Sequence, residues 1–114
     1  MVASPLDQTF AALASPVRRE ILGRLARGEA TVGELVELVH VSQPAVSKHL
    51  RVLERAGLVA RSPAPEDGRY HRCRIEPAPL REAFGWLGDY QRFWDESLDR
   101  LAAYLDELQS REDA

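Results

Sequence analysis

The sequence predicts a mainly α-helical fold with one small β-hairpin, on three observations. Four stretches open on Ser or Thr and continue with apolar residues at three- and four-residue spacing. Two short β-type runs, "LVARS" and "RYHRCRI", flank an Asp-Gly turn signal. A last apolar seam then runs from Leu80 to Leu108. With 114 residues, the chain is close to the usual size of one domain, so a single domain over 1–114 is expected.

The first helix is predicted over 5–14. Ser4 is its N-cap and Pro5 sits at the first helical position, with Leu6, Phe10 and Leu13 on one stripe. "SPVRREILGRLARGE" repeats the Ser-Pro device, turns Val17, Ile21, Leu22 and Leu25 inward, and stops at Gly28. Thr31 and Glu34 have capping-box spacing, which opens a short third helix running to about Val39. A fourth helix starts from the cap Ser42, tolerates Pro44 in its first turn and ends at Gly57. The hairpin over 58–75 follows, with Asp67-Gly68 as its turn.

Beyond "EPAP" a single helix over 79–108 is expected. Leu80, Phe84, Leu87, Gln91, Trp94, Leu98, Leu101, Leu105 and Leu108 alternate four- and three-residue steps, and only Gln91 is polar. Such a helix reaches roughly 45 Å at about 1.5 Å per residue, further than one small domain covers, so its seam calls for a second subunit. The tail "QSREDA" is expected to fray.

Two short helices joined by "HVS" make a helix-turn-helix over 31–56, and the hairpin makes it winged. At 100° per residue Val46, Leu50 and Leu53 converge on one side of the fourth helix, while Pro44, Ser47, Lys48 and Arg51 point away, with Gln43 at the leading end. These groups suit a major groove. Gln pairs bidentately with adenine, Lys reaches guanine O6 and N7, Ser bonds either, and Pro44 or Ala45 fits a thymine methyl. Arg51, further along, is placed for phosphate, and the cap Ser42 is counted with this set. On the wing, alternation puts His71, Cys73 and Ile75 on the core side and Tyr70, Arg72 and Arg74 outside. Arg69 at the turn and Arg72 are expected to contact the sugar-phosphate backbone or the minor groove. Thr31 offers its hydroxyl and the nearby backbone N–H groups to a phosphate.

Charge agrees with a double-stranded DNA partner. The net −3 hides an asymmetry: residues 16–74 carry eleven basic and seven acidic residues, a net +4, and residues 75–114 carry four and ten, a net −6.

The residues "TVGELVELVHVSQPAVSKHLRVLERAGLVARS" and "DGRYHRCRIEPAPL" resemble the ArsR/SmtB family of bacterial winged-helix repressors, over roughly residues 6–108. That resemblance implies a homodimer formed by the first and last helices and an imperfect palindromic operator near a promoter. It implies that Gln43, Pro44, Ser47 and Lys48 face the bases, and it extends to His49, which packs on the helix flank or a phosphate. On the dimer side it selects Leu6, Phe10, Leu13, Leu87, Trp94, Leu98, Leu101 and Leu105. Metal-sensing members carry paired cysteines in the third helix or Asp and His pairs in the last, whereas this third helix has no Cys and residues 79–108 have no His. The chain is thus similar to the branch without metal ligands, which implies an organic small-molecule effector or none. No metal or cofactor is expected.

Three other classes compete. An enzyme finds no Gly-rich phosphate loop, nucleophile elbow or metal triad in this sequence. A metal- or redox-responsive repressor would sense through Cys73 and His71, which are expected instead to form a small core patch. A winged-helix protein-interaction module would keep the fold and not bind DNA. The start "MVASPLDQTF" lacks a basic and apolar leader, and no apolar run approaches the ~18 residues of a membrane span, so a cytoplasmic location is expected.

Overall fold

The computed structural model describes residues 4–64 and 67–113, with side chains at all of these except 63, 64 and 67–70. Its elements are α1 (Pro5–Leu13), α2 (Pro16–Leu25), β1 (Ala30–Thr31), α3 (Val32–Val39), α4 (Gln43–Arg55), β2 (Val59–Ala64), β3 (Asp67–Ile75), α5 (Ala78–Gly88) and α6 (Gln91–Asp113). They fall into two compact units, one ending at Ala83 and the other beginning at Phe84.

Side-chain caps fix where the first four helices begin. Ser4, Ser15, Thr31 and Ser42 each accept from a backbone N–H three residues on, and Ser4 with Asp7 and Thr31 with Glu34 complete capping boxes. Helix α4 closes as a Schellman motif: Leu58 N–H donates to Leu53 O (2.9 Å) and Gly57 N–H to Glu54 O (2.9 Å). Gly57 has φ +75°, and a Cβ there would meet Pro79 Cγ at 3.5 Å, so a side chain would be strained in backbone. The turn between α3 and α4 uses His40, whose φ of 55° ends α3 in the left-handed region.

The first unit encloses one core. Ile21, Leu22 and Leu25 of α2, Leu35 and Val39 of α3, and Val46, Leu50 and Leu53 of α4 are buried together with Leu58, Val59 and Cys73. Burying each large aliphatic side chain stabilises by about 1.5–3 kcal/mol, which fixes the orientation of α4 and hence of its opposite edge. Helix α1 turns a different face into the core of its own chain. Its fully buried positions are Thr9, whose hydroxyl donates to Pro5 O (3.0 Å), and Ala12. Leu6, Phe10 and Leu13 are only half-buried.

The wing is a three-stranded antiparallel sheet in the order β1-β3-β2, not a two-stranded hairpin. Strand β1 is two residues long, too short to leave a sequence pattern, and pairs Ala30 with Cys73 and Thr31 with Arg72. Asp67-Gly68 opens β3 and is not the connecting turn. A register irregularity at Pro63/Ala64 sets Ala64 opposite Asp67 and extends the ladder through this pair.

The second unit corrects the expectation of one long helix. Helix α5 ends at Gly88 and α6 begins at Gln91. Between them Asp89 N–H donates to Trp86 O (3.2 Å), Tyr90 N–H to Leu87 O (2.9 Å) and Phe93 N–H to Tyr90 O (3.0 Å), the tight three-residue bonds of a 3₁₀ turn. Gly-Asp is a weak helix pair, and the apolar spacing passes across the break without registering it. The tail does not fray where expected: α6 continues to Asp113. None of its residues is buried, and Phe93, Trp94 and Leu98 are 75%, 70% and 62% exposed.

Candidate nucleic-acid interface

With Val46, Leu50 and Leu53 anchored inside, α4 presents its other edge outward. Gln43, Pro44, Lys48 and Arg51 are exposed and Ser47 is half-buried. Together with Ala45 these five line a shallow groove of about 680 Å³ that contains no carboxylate. Ser42 is exposed as well, and its Oγ accepts from Ala45 N–H (3.3 Å). Glu54, the first acid of α4, does not line this groove and is ion-paired with Arg61 of β2.

A second cleft of about 350 Å³ joins this edge to the wing, lined by Thr31, Val32, Gly33, Gln43, Ser47, Arg61 and His71. His71 is exposed, not part of a core patch. It shares a sheet face with Cys73, but lies two residues further toward the wing tip, past the edge of the core. Sequence alternation gave its side correctly and could not give where the core stops. The Thr31 hydroxyl is engaged locally: it accepts from Glu34 N–H (3.2 Å) and donates to Glu34 Oε1 (3.1 Å). The Thr31 backbone N–H, which donates to Glu34 Oε1 (3.4 Å), and then the Thr31 hydroxyl hold the Glu34 carboxyl below its usual range, and Arg24 at 3.2 Å adds to them.

Arg72 is half-buried on the other sheet face, opposite Thr31 and Ser62. Arg74, beside it, pairs with Glu76 (3.0 Å). The side chains of Arg69 and of the rest of 67–70 lie outside the described ones, so the expected contact of Arg69 falls there.

His49 is half-buried on the flank of α4 facing α2. Arg18 Nη1 donates to its Nδ1 (3.2 Å), while Arg18 Nε and Nη2 donate to Ala12 O (2.6 Å) and Ala11 O (3.1 Å) at the end of α1. Burial, then the Arg18 cation, holds the imidazole below its usual value. Arg18 joins three helices, a role that sequence reading missed because it depends on how α1 and α2 pack on α4.

The Cys73–His71 pair divides. Cys73 is fully buried, and burial pushes its thiol up to about 11, with Arg61 acting against and Glu54 with that shift. Among the described residues no group of three or more His, Cys, Asp or Glu side chains is arranged to hold a metal ion. Nor is any described helix long and apolar enough to cross a membrane.

In the second unit Trp86, Leu87, Tyr90, Phe93 and Trp94 line an apolar hollow of about 420 Å³, with the Trp86 and Tyr90 rings 5.2 Å apart. Leu87, Trp94, Leu98, Leu101 and Leu105 of the expected dimer seam are all exposed.

Two helices joined by a tight turn, a following antiparallel wing and an acid-free polar edge on the second helix define a winged helix-turn-helix regulator of the DNA-binding class. Comparison with known proteins makes this specific. Residues 15–61 match the family model described as bacterial regulatory protein, arsR family. The HTH-type transcriptional regulator Rv2034 of Mycobacterium tuberculosis is 41% identical over 100 residues, covering 88% of each chain. The transcriptional repressor SdpR of Bacillus subtilis is 26% identical over 93 residues, 82% of this chain and all of that one. A solved ArsR family transcriptional regulator, RHA00566, superimposes with a TM-score of 0.71 at 38% identity, covering 81% of this chain and 98% of its own. The chain belongs to the ArsR family of bacterial transcriptional regulators.

Proposed function

We propose that this regulator is a homodimeric repressor in which residues 1–114 form a single domain, acting in the cytoplasm on an imperfect palindromic operator. The two copies of α4 enter successive major grooves about one DNA turn apart. The observation that carries this reading is the exposed edge Gln43, Pro44, Ser47, Lys48 and Arg51, cationic and without an acid, on a helix whose other side is locked in the core. Gln43, Ser47 and Lys48 read base edges, Pro44 packs on a thymine methyl, and Ser42, His49 and Arg51 meet the backbone. Thr31, through the α3 N-terminus, and Arg69 and Arg72, through the wing, add backbone contacts.

Dimerisation rests on the surface each unit leaves uncovered. Leu6, Phe10 and Leu13 on α1 stay half-exposed, and Leu87, Trp94, Leu98, Leu101 and Leu105 form an apolar surface far larger than isolated exposed residues give. Covering both with a second copy gives two reading heads at fixed spacing. Repression follows from occluding polymerase, and an effector acts by altering that spacing or its rigidity. The relatives' names support regulation of transcription and, for SdpR, repression.

Selection of bound fragments from the source genome tests this reading. Fragments sharing a two-fold motif, bound far more tightly than random duplex and with a steep salt dependence, are expected. Equal binding to every fragment would overturn it.

A further inference from the structure

On the α2 side of α4 lies a cleft of about 390 Å³ lined by Arg18, Lys48, His49, Arg51 and Arg55 around Val52, and no carboxylate contributes to its walls. Arg55 and Arg18 belong to none of the base-reading or wing positions. Three features mark this cleft as built for an anion. Arg18 is held in place by Ala11 O, Ala12 O and His49 Nδ1, so its cation is positioned in advance. The side chains of Lys48, Arg51 and Arg55 make no ion pair or hydrogen bond among the described residues. Lys48 and Arg51 stand three residues apart and Arg51 and Arg55 four, so like charges repel along one helix face, an arrangement that costs helix stability unless something neutralises it.

We propose that this cleft is a phosphate-binding site that holds a backbone phosphate of the duplex at the rim of the groove α4 enters. The source follows from continuity: Lys48, Arg51 and Ala45 line both this cleft and the base-reading groove. An anion seated here is therefore beside the bases that Gln43 and Ser47 would read. Val52 and Ala45 give the cleft an apolar floor, which lowers the local dielectric and strengthens the attraction of the surrounding cations for one phosphate. Arg18 then ties that phosphate to α1, so backbone contact and the helix proposed for dimerisation share one side chain. The proposal rests on α4 being the reading helix and adds Arg18 and Arg55 to its contacts.

The test measures the affinity of the full chain for a selected operator and for random duplex across a salt series. Arg55→Ala should reduce the slope of log affinity against log salt by about 0.9 for each subunit bound, equally on both duplexes, and Arg55→Lys should restore most of it. Its thermal midpoint should change little, because the repulsion removed and the cation lost from the last turn of α4 offset one another. Gln43→Ala serves as the companion, altering base preference with little change in slope. An unchanged slope in Arg55→Ala, alongside a changed preference in Gln43→Ala, overturns the phosphate site alone. A wild-type chain that binds no duplex overturns both readings. Calorimetry with pyrophosphate distinguishes the source: binding lost in Arg55→Ala, with an unchanged DNA salt slope, assigns the cleft to a free anion and overturns the backbone phosphate.

Discussion

The unit ending at Ala83 and the unit beginning at Phe84 use apolar residues in opposite ways. In the first, Ile21, Leu35, Leu50, Leu53 and Leu58 are fully buried by their own chain. In the second, Phe84, Trp86, Phe93, Trp94, Leu98 and Leu101 are all exposed, and no residue of α6 is buried. Residue type is therefore a poor guide to what an apolar side chain does. The first unit's apolar groups stabilise a fold within one chain; the second unit's only gain by meeting another surface.

The largest effect expected from this contrast is in the core. Leu50→Ala should cost about 2–5 kcal/mol of unfolding free energy, because a fully buried side chain leaves a cavity among α2, α3 and the sheet. Leu98→Glu should leave the unfolding free energy of the monomer unchanged, since Leu98 is exposed in the single chain, and instead halve the mass in sedimentation. Equal destabilisation of the monomer by both variants would erase the distinction between core and interface.

Next in size is the reading edge. Gln43→Ala should lose about 1–3 kcal/mol of discrimination at one base position while leaving the fold intact, since Gln43 is exposed. An unchanged preferred sequence in a selection with this variant would remove Gln43 from the base contacts. Removal of the cap at the same end, Ser42→Ala, should cost about 1 kcal/mol of stability through the lost bond from Ala45 N–H, measurable by denaturant titration.

Much of this division was legible in the sequence, for a physical reason: helix starts are encoded locally. Ser4, Ser15, Thr31 and Ser42 each needed only a backbone donor three residues away, and each has it. The apolar stripe of α4 likewise fixes which edge is outward. Features set by distant partners were not legible. The half-exposure of Leu6, Phe10 and Leu13 depends on Thr9 and Ala12 taking the inward positions. His71 falls outside the core because β3 outruns the elements packed on it, and Arg18 matters only once α1, α2 and α4 are assembled. The α5–α6 break escaped notice because the spacing of apolar residues carries over Gly88 and Asp89 unbroken.

The smallest expected effect is a pH dependence within the first unit. His49 has its folded pKa lowered, by burial first and by Arg18 second, so the unfolded chain takes up the proton before the native one does. Its contribution to stability is therefore full above the ordinary imidazole value of ~6.5 and is lost as pH falls from there toward the lowered value. His49→Gln should flatten this part of a stability-versus-pH curve measured by denaturant unfolding. A curve of the same slope in both proteins would show that the His49 ring is neither desolvated nor held against Arg18 in solution.

The direct test of a two-headed reader is footprinting on a genomic fragment chosen by the wild-type chain, repeated with Leu98→Glu. Two protected half-sites with centres about 10 base pairs apart, reduced to weak, single-site protection in the variant, are the predicted result. A wild-type footprint confined to one half-site, or identical footprints for both proteins, would contradict it.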